Sequence, residues 1–109
     1  YYVTIENNGK SVSCIALMDT GNNLREPFSN YPVIMADKSV FNQLYTDDTI
    51  RLIPISTVNG ESLIKSFRPQ KITIGNFVAD KVYVGESVSE LDEYKIILNI
   101  NLEGEMNND

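Results

Sequence analysis

Short apolar and β-branched runs separated by turns are the main pattern along the chain. Residues 2–6 and 12–18 are two such runs, and the turn between them contains an Asn-Gly step that suits the positive φ angles of a tight hairpin. The second run becomes continuously apolar as it approaches residue 19, which is typical of a strand buried on both faces. We therefore predict a β-hairpin whose second strand lies inside the protein.

The remaining strand-like runs extend the same pattern towards the end of the chain. They are residues 33–36, 51–58, 62–67, 71–74, 77–85 and 95–102. An Asn-Gly step at residues 59–60 and a Gly-Asn step at residues 75–76 join two pairs of these runs into further hairpins. The pattern predicts an all-β domain, a small closed or nearly closed barrel, over residues 1–102.

One short helix is expected among the strands. Asp37 is a preferred N-cap residue, and it precedes residues 38–45, where apolar side chains recur on one side. Residues 25–32 contain two prolines and several polar residues, so they predict an irregular loop. The polar residues 103–109 predict a flexible C-terminal tail.

The composition excludes several classes of function. A chain of 109 residues has the length of one domain and lacks room for two lobes with separate cores. Its 15 acidic residues outnumber its 9 Lys and Arg residues, which gives a formal charge of -6, and no basic cluster favours nucleic acid or an anionic membrane surface. The longest apolar runs, such as residues 32–36, are too short to span a bilayer.

The residue types that are missing narrow the chemistry further. Without histidine the chain contains neither a Ser-His-Asp nor a Cys-His catalytic arrangement, and no His-based zinc site. The single cysteine, Cys14, has no partner for an internal disulfide and lies in an apolar stretch, as a small core residue would. Neighbouring carboxylates in polar loops, such as Asp47 and Asp48, lack metal-ligand spacing, so the sequence predicts neither a metal site nor a cofactor.

Asp19 is the main candidate for chemistry because it directly follows the apolar run. An ionised carboxylate at the end of a buried strand is costly unless its neighbours hydrogen-bond it. Thr20 can bond to the backbone through its hydroxyl, and Gly21 permits a tight bend with amide groups close to the carboxylate. Two interpretations are open: a catalytic carboxylate, and a plain Asx-turn in which Asp19 accepts from an amide two residues further on.

Residues 15–22 resemble the active-site strand of retropepsin-type aspartic peptidases. More closely, the chain resembles the sporulation sigma-E factor processing peptidases, the membrane-bound aspartic peptidases of endospore-forming bacteria. The motifs that carry this resemblance are ALMDTGNNL at residues 16–24, EPFS at 26–29, PVI at 32–34, IST at 55–57 and KITIG at 71–75. The resemblance spans most of the chain, and its most specific part is residues 19–34.

This resemblance implies a retropepsin-like acid-protease β-barrel half with one short helix, and a catalytic role for Asp19. Aspartic peptidases use two carboxylates that share one proton, and this chain has one Asp-Thr-Gly. The second carboxylate must then come from another copy across a two-fold axis, so we expect a homodimer. Thr20 would brace the paired turns, Gly21 would place its amide near the substrate, and Asn22 would complete the active-site turn.

The second Asn-Gly hairpin, residues 56–64, is the expected flap over a bound peptide. Its candidate flap residues are Ser56, Thr57, Asn59 and Gly60. The alternative is an ordinary surface turn that makes no contact with a substrate.

The resemblance also implies partners and a location. The substrate would be the sigma-E precursor, from which the enzyme removes the N-terminal pro-sequence, and a signalling protein from the forespore would trigger activation. A membrane-embedded N-terminal region would precede Tyr1, which already lies within a strand-like run. This domain would lie on the cytoplasmic side of the mother-cell membrane at the sporulation septum, and would be joined to the membrane only through that region.

Two other functions are open, and one residue departs from the retropepsin pattern. The fold could be a non-catalytic dimerisation or peptide-binding module that adds a partner strand to an exposed sheet edge, or a retroviral-like protease domain with an unrelated substrate. The departure is in the late apolar strand, where Asn99 occupies the position of a glycine. Asparagine tolerates a left-handed backbone better than most residues, so we expect the turn to survive there.

Overall fold

Nine β-strands form one continuous, curled sheet in the computed structural model, which describes residues 1–107. The strands are β1 (Tyr2–Asn7), β2 (Lys10–Asp19), β3 (Val33–Ala36), β4 (Arg51–Thr57), β5 (Gly60–Phe67), β6 (Lys71–Ile74), β7 (Phe77–Ala79), β8 (Tyr83–Glu86) and β9 (Ile96–Asn99). Their order across the sheet is β4-β5-β8-β3-β9-β2-β1-β6-β7. This architecture confirms the predicted all-β, retropepsin-like half-barrel.

Helices occupy little of the chain. α1 (Lys38–Leu44) follows β3, and a single helical turn, α2 (Glu103–Met106), lies near the C-terminus. Two 3-10 turns lie at Asp47–Thr49 and Ile100–Leu102. Within residues 1–107 no helix has the length and apolar character needed to cross a membrane. The segment predicted as a flexible tail thus begins with a helical turn whose Met106 packs against the core, and its last two residues lie outside the described ones.

The first hairpin forms as the sequence predicts. β1 and β2 pair antiparallel around a turn whose central residues, Asn8 and Gly9, have φ angles of 52° and 74°. Asparagine and glycine tolerate these left-handed angles best, and such a turn matches the twist of the flanking strands. β1 also pairs antiparallel with β6, so it has a hydrogen-bonded neighbour on both sides.

β2 is buried on one face only, so the prediction of burial on both faces is wrong. Ala16 is 3% exposed and belongs to the core, whereas Ile15 and Leu17, which point to the other face, are 54% and 42% exposed. The reason is that α1 packs on one side of β2, while within residues 1–107 Ile15 and Leu17 on the other side are only partly covered. The continuous apolar run therefore marks a strand with one open apolar face.

The order of strands decides what surrounds Asp19. β9 lies between β2 and β3, although β2 and β3 follow each other in sequence. It runs parallel to β2, with Asp19 opposite Asn99, and antiparallel to β3, with Met35 opposite Ile97. The chain that leaves β2 must therefore cross the end of β9 to reach β3, and this crossing brings the residues after Asp19 against β9.

The main core lies between the inner face of the sheet and α1. Its members include Val3, Ile5, Ile34, Phe41, Leu44, Phe67, Ile72, Ile74, Ile96, Leu98 and Leu102. Burying one such side chain contributes about 1.5–3 kcal/mol, so this cluster supplies most of the hydrophobic stabilisation. Asn7 adds a polar link between the first hairpin and the helix, because its Nδ2 donates to the carbonyl oxygen of Leu44 at 2.9 Å.

Asp37 caps α1, as its position predicts. Its carboxylate accepts hydrogen bonds from the Ser39 amide and hydroxyl, and from the Leu91 amide at 2.8 Å. The bonds from Ser39 and Leu91 outweigh the opposing effect of burial and, with the charge of Lys95, lower the pKa of Asp37 from 3.8 to about 2. The predicted helix over residues 38–45 is confirmed to within one residue.

Part of the β4–β5 hairpin packs on the face of the sheet opposite the main core, although Phe67 at the end of β5 belongs to that core. A second, smaller cluster forms beneath it, where Ile53 and Ile64 of the hairpin lie against Val33 and Tyr83. Gly85 lets this contact close, because a Cβ atom at that position would lie 2.9 Å from Ile64 Cδ1. The hairpin is therefore anchored to the sheet near its base.

One predicted strand is two strands in the structure. The run at residues 77–85 divides, because β7 ends at Ala79 and β8 begins at Tyr83. β7 pairs with β6 at one edge of the sheet, whereas β8 lies between β5 and β3. The residues that connect them include the buried Val82, so the apolar pattern continues across the break and does not reveal it. The strand-like run at residues 95–102 forms β9 and then the 3-10 turn at Ile100–Leu102.

Candidate active site

Asp19 is the last residue of β2, and its carboxylate closes a turn. Asp19 Oδ1 accepts a hydrogen bond of 2.9 Å from the Gly21 amide, and its carbonyl oxygen accepts one of 3.0 Å from the Asn22 amide. A Cβ atom at Gly21 would lie 3.3 Å from Oδ1, so the glycine leaves room for the carboxylate. Asp19 and Thr20 are both exposed, so the expected desolvation of Asp19 does not occur within one chain. The Asx-turn orients the carboxylate and leaves it accessible.

Asn22 ties this turn to two neighbouring strands. Its Nδ2 donates to the carbonyl oxygen of Val33 in β3 at 3.1 Å and to that of Leu98 in β9 at 3.3 Å. Its Oδ1 accepts from the Leu24 amide at 3.4 Å. A backbone bond of 2.9 Å from the Ile100 amide to the carbonyl oxygen of Asn22 fixes the same point. Asn22 therefore bridges β3 and β9 where the chain crosses between them.

Asn99 lies at the end of β9, fully buried and fully hydrogen-bonded. Its Nδ2 donates to the carbonyl oxygens of Leu24 at 2.7 Å and Val33 at 3.0 Å, and its Oδ1 accepts from the amide and the side chain of Asn101 at 2.9 Å each. Its φ angle is -97°, so the left-handed backbone expected there is wrong. The role of Asn99 lies in its side-chain amide, whose donors and acceptors are all used to hold the segment that crosses from β2 to β3.

An apolar floor adjoins the candidate site on the same face as Asp19. Alternate residues of a strand point to the same side, so Leu17 and Ile15 share the face of Asp19. Leu17 lies opposite Ile97 of β9, and Ile97 lies opposite Met35 of β3. Ile97 and Met35 are half-buried. The predicted burial of β2 on both faces concealed this open surface from the sequence argument.

The expected flap residues lie at the tip of the β4–β5 hairpin. Thr57 Oγ1 donates to the Gly60 carbonyl oxygen at 2.8 Å and accepts from the Asn59 amide at 3.2 Å, and Gly60 has a φ angle of 110°. Val58 and the outward-facing Ser56 are exposed. The tip is thus a tight, self-bonded turn that projects from the packed base.

The hairpin base adjoins the loop that follows the Asp19 turn. Leu24 and Tyr31, from the two ends of that loop, are half-buried against the same cluster as Ile53 and Ile64. The structure therefore joins the base of the expected flap to the chain that leaves the Asp19 turn, while the hydrogen bonds of the tip are local within the described residues, 1–107.

Glu26 is a buried charge within that loop. Its Oε1 accepts from the Ser29 amide at 2.7 Å, and its Oε2 accepts from the Phe28 amide at 3.1 Å and lies 3.9 Å from Arg51 Nη1. Burial alone would raise the pKa of Glu26, but the hydrogen bonds from Ser29 and Phe28 and the charge of Arg51 outweigh it, so the pKa is lowered. In the sequence Glu26 stood out only as part of the EPFS motif and received no role; the available signal was a lone acid in a short loop that contains two prolines.

Within residues 1–107, the other groups noted in the sequence (Asp47, Asp48 and Cys14) make no side-chain hydrogen bond or ion pair with the Asp19 turn. Asp47 and Asp48 are exposed in a 3-10 turn, and Arg25 donates through Nη1 to the Asn30 carbonyl oxygen at 2.7 Å. Burial raises the pKa of the half-buried Cys14 thiol. Within residues 1–107, no three His, Cys, Asp or Glu side chains converge as a metal site would require.

Comparison with known proteins gives a family for this arrangement. The family model described as sporulation factor SpoIIGA, peptidase family U4, matches residues 1–102. The chain belongs to the SpoIIGA family. It is also 31% identical over 96 residues to a probable sporulation sigma-E factor-processing peptidase of Clostridium acetobutylicum. That alignment covers 86% of this chain and 35% of the relative, so the chain spans about a third of the length of the curated relative it matches.

The SpoIIGA match confirms the resemblance that residues 16–34 indicated. The matched region contains the whole candidate site, from Leu17 to Asn99. Sequence reasoning selected Asp19 and Asn22 and noted Asn99 only as a departure. A polar residue inside an apolar strand was the available signal for the role of Asn99, because a buried amide needs hydrogen-bond partners.

Proposed function

We propose that this chain is the protease domain of an aspartic endopeptidase, in which Asp19 from each of two chains forms the catalytic pair. The observation that carries the proposal is the placement of Asp19: an accessible carboxylate, oriented by the Gly21 amide, at the end of a strand with an open apolar face. The bracing by Asn22 and Asn99 supports it, because a catalytic carboxylate must be held in a fixed geometry.

A second chain is required by the number of carboxylates. Two carboxyl groups a few ångströms apart share one proton because they cannot both ionise at that separation, and this chain has one Asp-Thr-Gly. A two-fold axis between two Asp19 side chains would supply the pair. Thr20 is exposed beside Asp19 and would face the partner turn, and the Gly21 amide would hold the carboxylate in place.

The chemistry then proceeds in two proton-balanced steps. The ionised Asp19 takes a proton from a bound water as the water oxygen attacks the scissile carbonyl carbon, and Asp19 of the partner subunit gives its proton to the carbonyl oxygen. In the second step the first carboxyl group protonates the amide nitrogen, the partner carboxylate takes a proton from the diol, and the C–N bond breaks. The pair returns to its starting state, with one proton shared between two carboxylates.

The peptide would bind along the apolar floor beside Asp19. Leu17, Ile97 and Met35 offer apolar surface at the level of the carboxylate, and burial of a substrate side chain there would exclude water. The β4–β5 hairpin would act as the flap, with Ser56, Thr57, Asn59 and Gly60 towards the peptide. Its anchored base and projecting tip support this role.

The substrate in this proposal is the sigma-E precursor, which loses its N-terminal pro-sequence during sporulation. Support comes from the family and from the printed name of the Clostridium acetobutylicum relative. The remaining two-thirds of a protein of that length would include a membrane-embedded N-terminal region, with this domain on the cytoplasmic side of the mother-cell membrane. A forespore-derived signal protein would activate the enzyme.

A non-catalytic dimerisation or peptide-binding module is the second candidate. β4 and β7 are the edge strands of the sheet, and an open edge can accept an added strand from a partner. Such a module would bind the precursor without cleaving it, and its binding would not depend on the charge of Asp19.

Processing of the precursor by an Asp19→Asn variant separates these functions. An asparagine Oδ1 can still accept from the Gly21 amide, so the turn survives while the carboxylate is lost. We expect the full-length variant, produced together with the sigma-E precursor, to lose processing by at least about three orders of magnitude. Asp92→Asn, in an exposed loop, is the matched control and should process normally. Normal processing by Asp19→Asn would exclude the aspartic peptidase proposal.

A further inference from the structure

The loop between the Asp19 turn and β3 contains a charge that the proposed mechanism does not use. Glu26 is fully buried, and its two carboxylate oxygens accept the amides of Ser29 and Phe28 at 2.7 and 3.1 Å. The backbone closes around it, because the Glu26 amide donates to the Tyr31 carbonyl oxygen at 2.8 Å. The backbone of the loop therefore holds the Glu26 carboxylate in a fixed position.

Arg51, the first residue of β4, meets this carboxylate from the hairpin. Its Nη1 lies 3.9 Å from Glu26 Oε2, and its guanidinium carbon lies 6.0 Å from the centroid of the Phe28 ring. The main chain of Arg51 is fixed as well, because the buried Ser66 hydroxyl donates to its carbonyl oxygen at 2.7 Å. The base of the hairpin thus contacts both a charge and an aromatic ring of the loop.

These contacts connect the hairpin to the Asp19 turn in a short series. Leu24, two residues before Glu26, accepts from the Asn99 side chain and donates to Asn22 Oδ1. The buried second cluster joins the same loop to the hairpin strands. Within residues 1–107 the hydrogen bonds of the hairpin tip are local, so the position of the tip depends on how the base is held.

Arg51 and Glu26 differ in how much each depends on the ion pair between them. The Arg51 side chain is 49% exposed, so its direct attraction to Glu26 is largely screened and contributes little to overall stability. Glu26 is held by the loop amides whether or not Arg51 is present. Loss of Arg51 should therefore leave the fold intact and release mainly the orientation of the hairpin base.

We propose that Glu26 and Arg51 form a positioning pair that sets the β4–β5 hairpin relative to the Asp19 turn. The pair fixes how far the flap stands from the apolar floor, and it acts on peptide binding rather than on the carboxylates. The effect on peptide binding rests on the proposed peptidase function, whereas the anchoring of the hairpin by the pair does not.

Hydrogen exchange of the folded chain tests the hold without any substrate. In Arg51→Gln we expect the amides of β4 and β5 to exchange about two- to fivefold faster, with β1 and β6 unchanged, because only the hairpin loses an anchor. Lys71→Gln, an exposed lysine in β6, is the control for loss of one positive charge and should leave the hairpin unchanged. Unchanged exchange in the Arg51→Gln hairpin, or equal acceleration throughout the sheet, would overturn the proposal.

Steady-state processing by the full-length protein tests the consequence for binding. We expect Arg51→Gln to raise KM about threefold or more with kcat within about twofold of the starting protein, and Arg51→Lys to recover part of the change. A purely stabilising ion pair would lower the melting temperature and leave KM unchanged, which would overturn the positioning role. If Glu26→Gln folds, it completes a double-mutant cycle with Arg51→Gln. The effects of the two substitutions on KM should then be less than additive in the double variant.

Failure of this inference is distinguishable from failure of the proposed function. Full processing by Asp19→Asn would exclude the catalytic role proposed for Asp19, yet the exchange result would still decide whether the Glu26–Arg51 pair holds the hairpin. Conversely, if Asp19→Asn is inactive and hydrogen exchange of the hairpin is unchanged in Arg51→Gln, the peptidase proposal stands and the positioning role of the pair is excluded.

Discussion

The chain contains two hairpins with the same Asn-Gly signal, β1–β2 and β4–β5, and they are held very differently. β1 and β2 are interior strands, with β6 on one side and β9 on the other. β4 is an edge strand, and β5 joins the rest of the sheet only near its end, where Ser66 and Phe67 pair with β8. The first hairpin is a fixed support for Asp19, whereas the second is anchored at one end.

Burial shows the same difference. Val3 and Ile5 of the first hairpin are fully buried in the main core. In the second hairpin the buried residues lie towards the base, and Val58 at the tip is 103% exposed; the buried residues are Ile53, Ile64, Ser66 and Phe67. Local turn chemistry thus decides that a hairpin forms, while the cover from the rest of the fold decides whether it becomes a support or a projecting arm.

The largest expected effect comes from removing core volume under each hairpin. Ile5→Ala should lower the free energy of unfolding by about 2–5 kcal/mol, because Ile5 is fully buried in the main core. Ile55→Ala, at a half-buried position of the second hairpin, should cost less than about 1.5 kcal/mol. Urea unfolding of both variants measures the two losses of unfolding free energy. Equal losses would contradict the distinction between a covered and a partly covered hairpin.

The next effect concerns the point where the first hairpin ends at the Asp19 turn. Asn99→Asp replaces an amide that donates to the Leu24 and Val33 carbonyl oxygens with a carboxylate that repels them. We expect a loss of about 3 kcal/mol near neutral pH, which becomes smaller at acidic pH as the new carboxylate is protonated. Asn76→Asp, in an exposed turn, is the control. A pH-independent loss would argue against the proposed bonding of Asn99.

A smaller effect should follow acidification, and it acts on the helix that covers the first hairpin. The pKa of Asp37 is lowered from 3.8 to about 2 in the folded protein, so its contribution is present above pH 4 and is lost as the pH falls towards 2. The shift corresponds to about 2 kcal/mol. Comparing the unfolding free energy of Asp37→Asn with that of the starting protein at pH 7 and pH 2 measures this. A difference of the same size at both pH values would contradict it.

The smallest expected effect is at the tip of the second hairpin. Val58→Ser should change the free energy of unfolding by less than about 0.5 kcal/mol, because this side chain is fully exposed and has nothing to lose on folding. If the tip closes over a peptide, the same substitution should still weaken processing of the precursor. A clear loss of stability would mean that the tip is covered within the chain.

Much of the fold was predictable because the deciding interactions are local. The Asn8-Gly9 turn, the Asp37 cap and the Thr57–Gly60 turn each depend on residues a few positions apart. Sequence patterns show such relations directly, since the backbone angles and the short side chains are given by residue type. The candidate carboxylate, Asp19, was found for the same reason, because the turn that orients it is three residues long.

The remaining features depend on partners far apart in sequence. An apolar run does not state which of its faces is covered, so the exposed Leu17 was assigned to the core. The bonds of Asn99 to Leu24 and Val33 exist only because β9 enters between β2 and β3. The Glu26–Arg51 contact likewise requires the β4–β5 hairpin to lie on the loop. Register and strand order, rather than residue type, determine these contacts.

The most direct test of the two-chain active site is a mixing experiment with the full-length protein. A constant amount of the starting protein is produced with a threefold excess of Asp19→Asn, with the precursor in excess. If each site needs Asp19 from both chains, and subunits pair at random, processing should fall to about one quarter of its undiluted value. Processing that is unaffected by the excess would show that each chain works alone, and would contradict the shared pair of carboxylates.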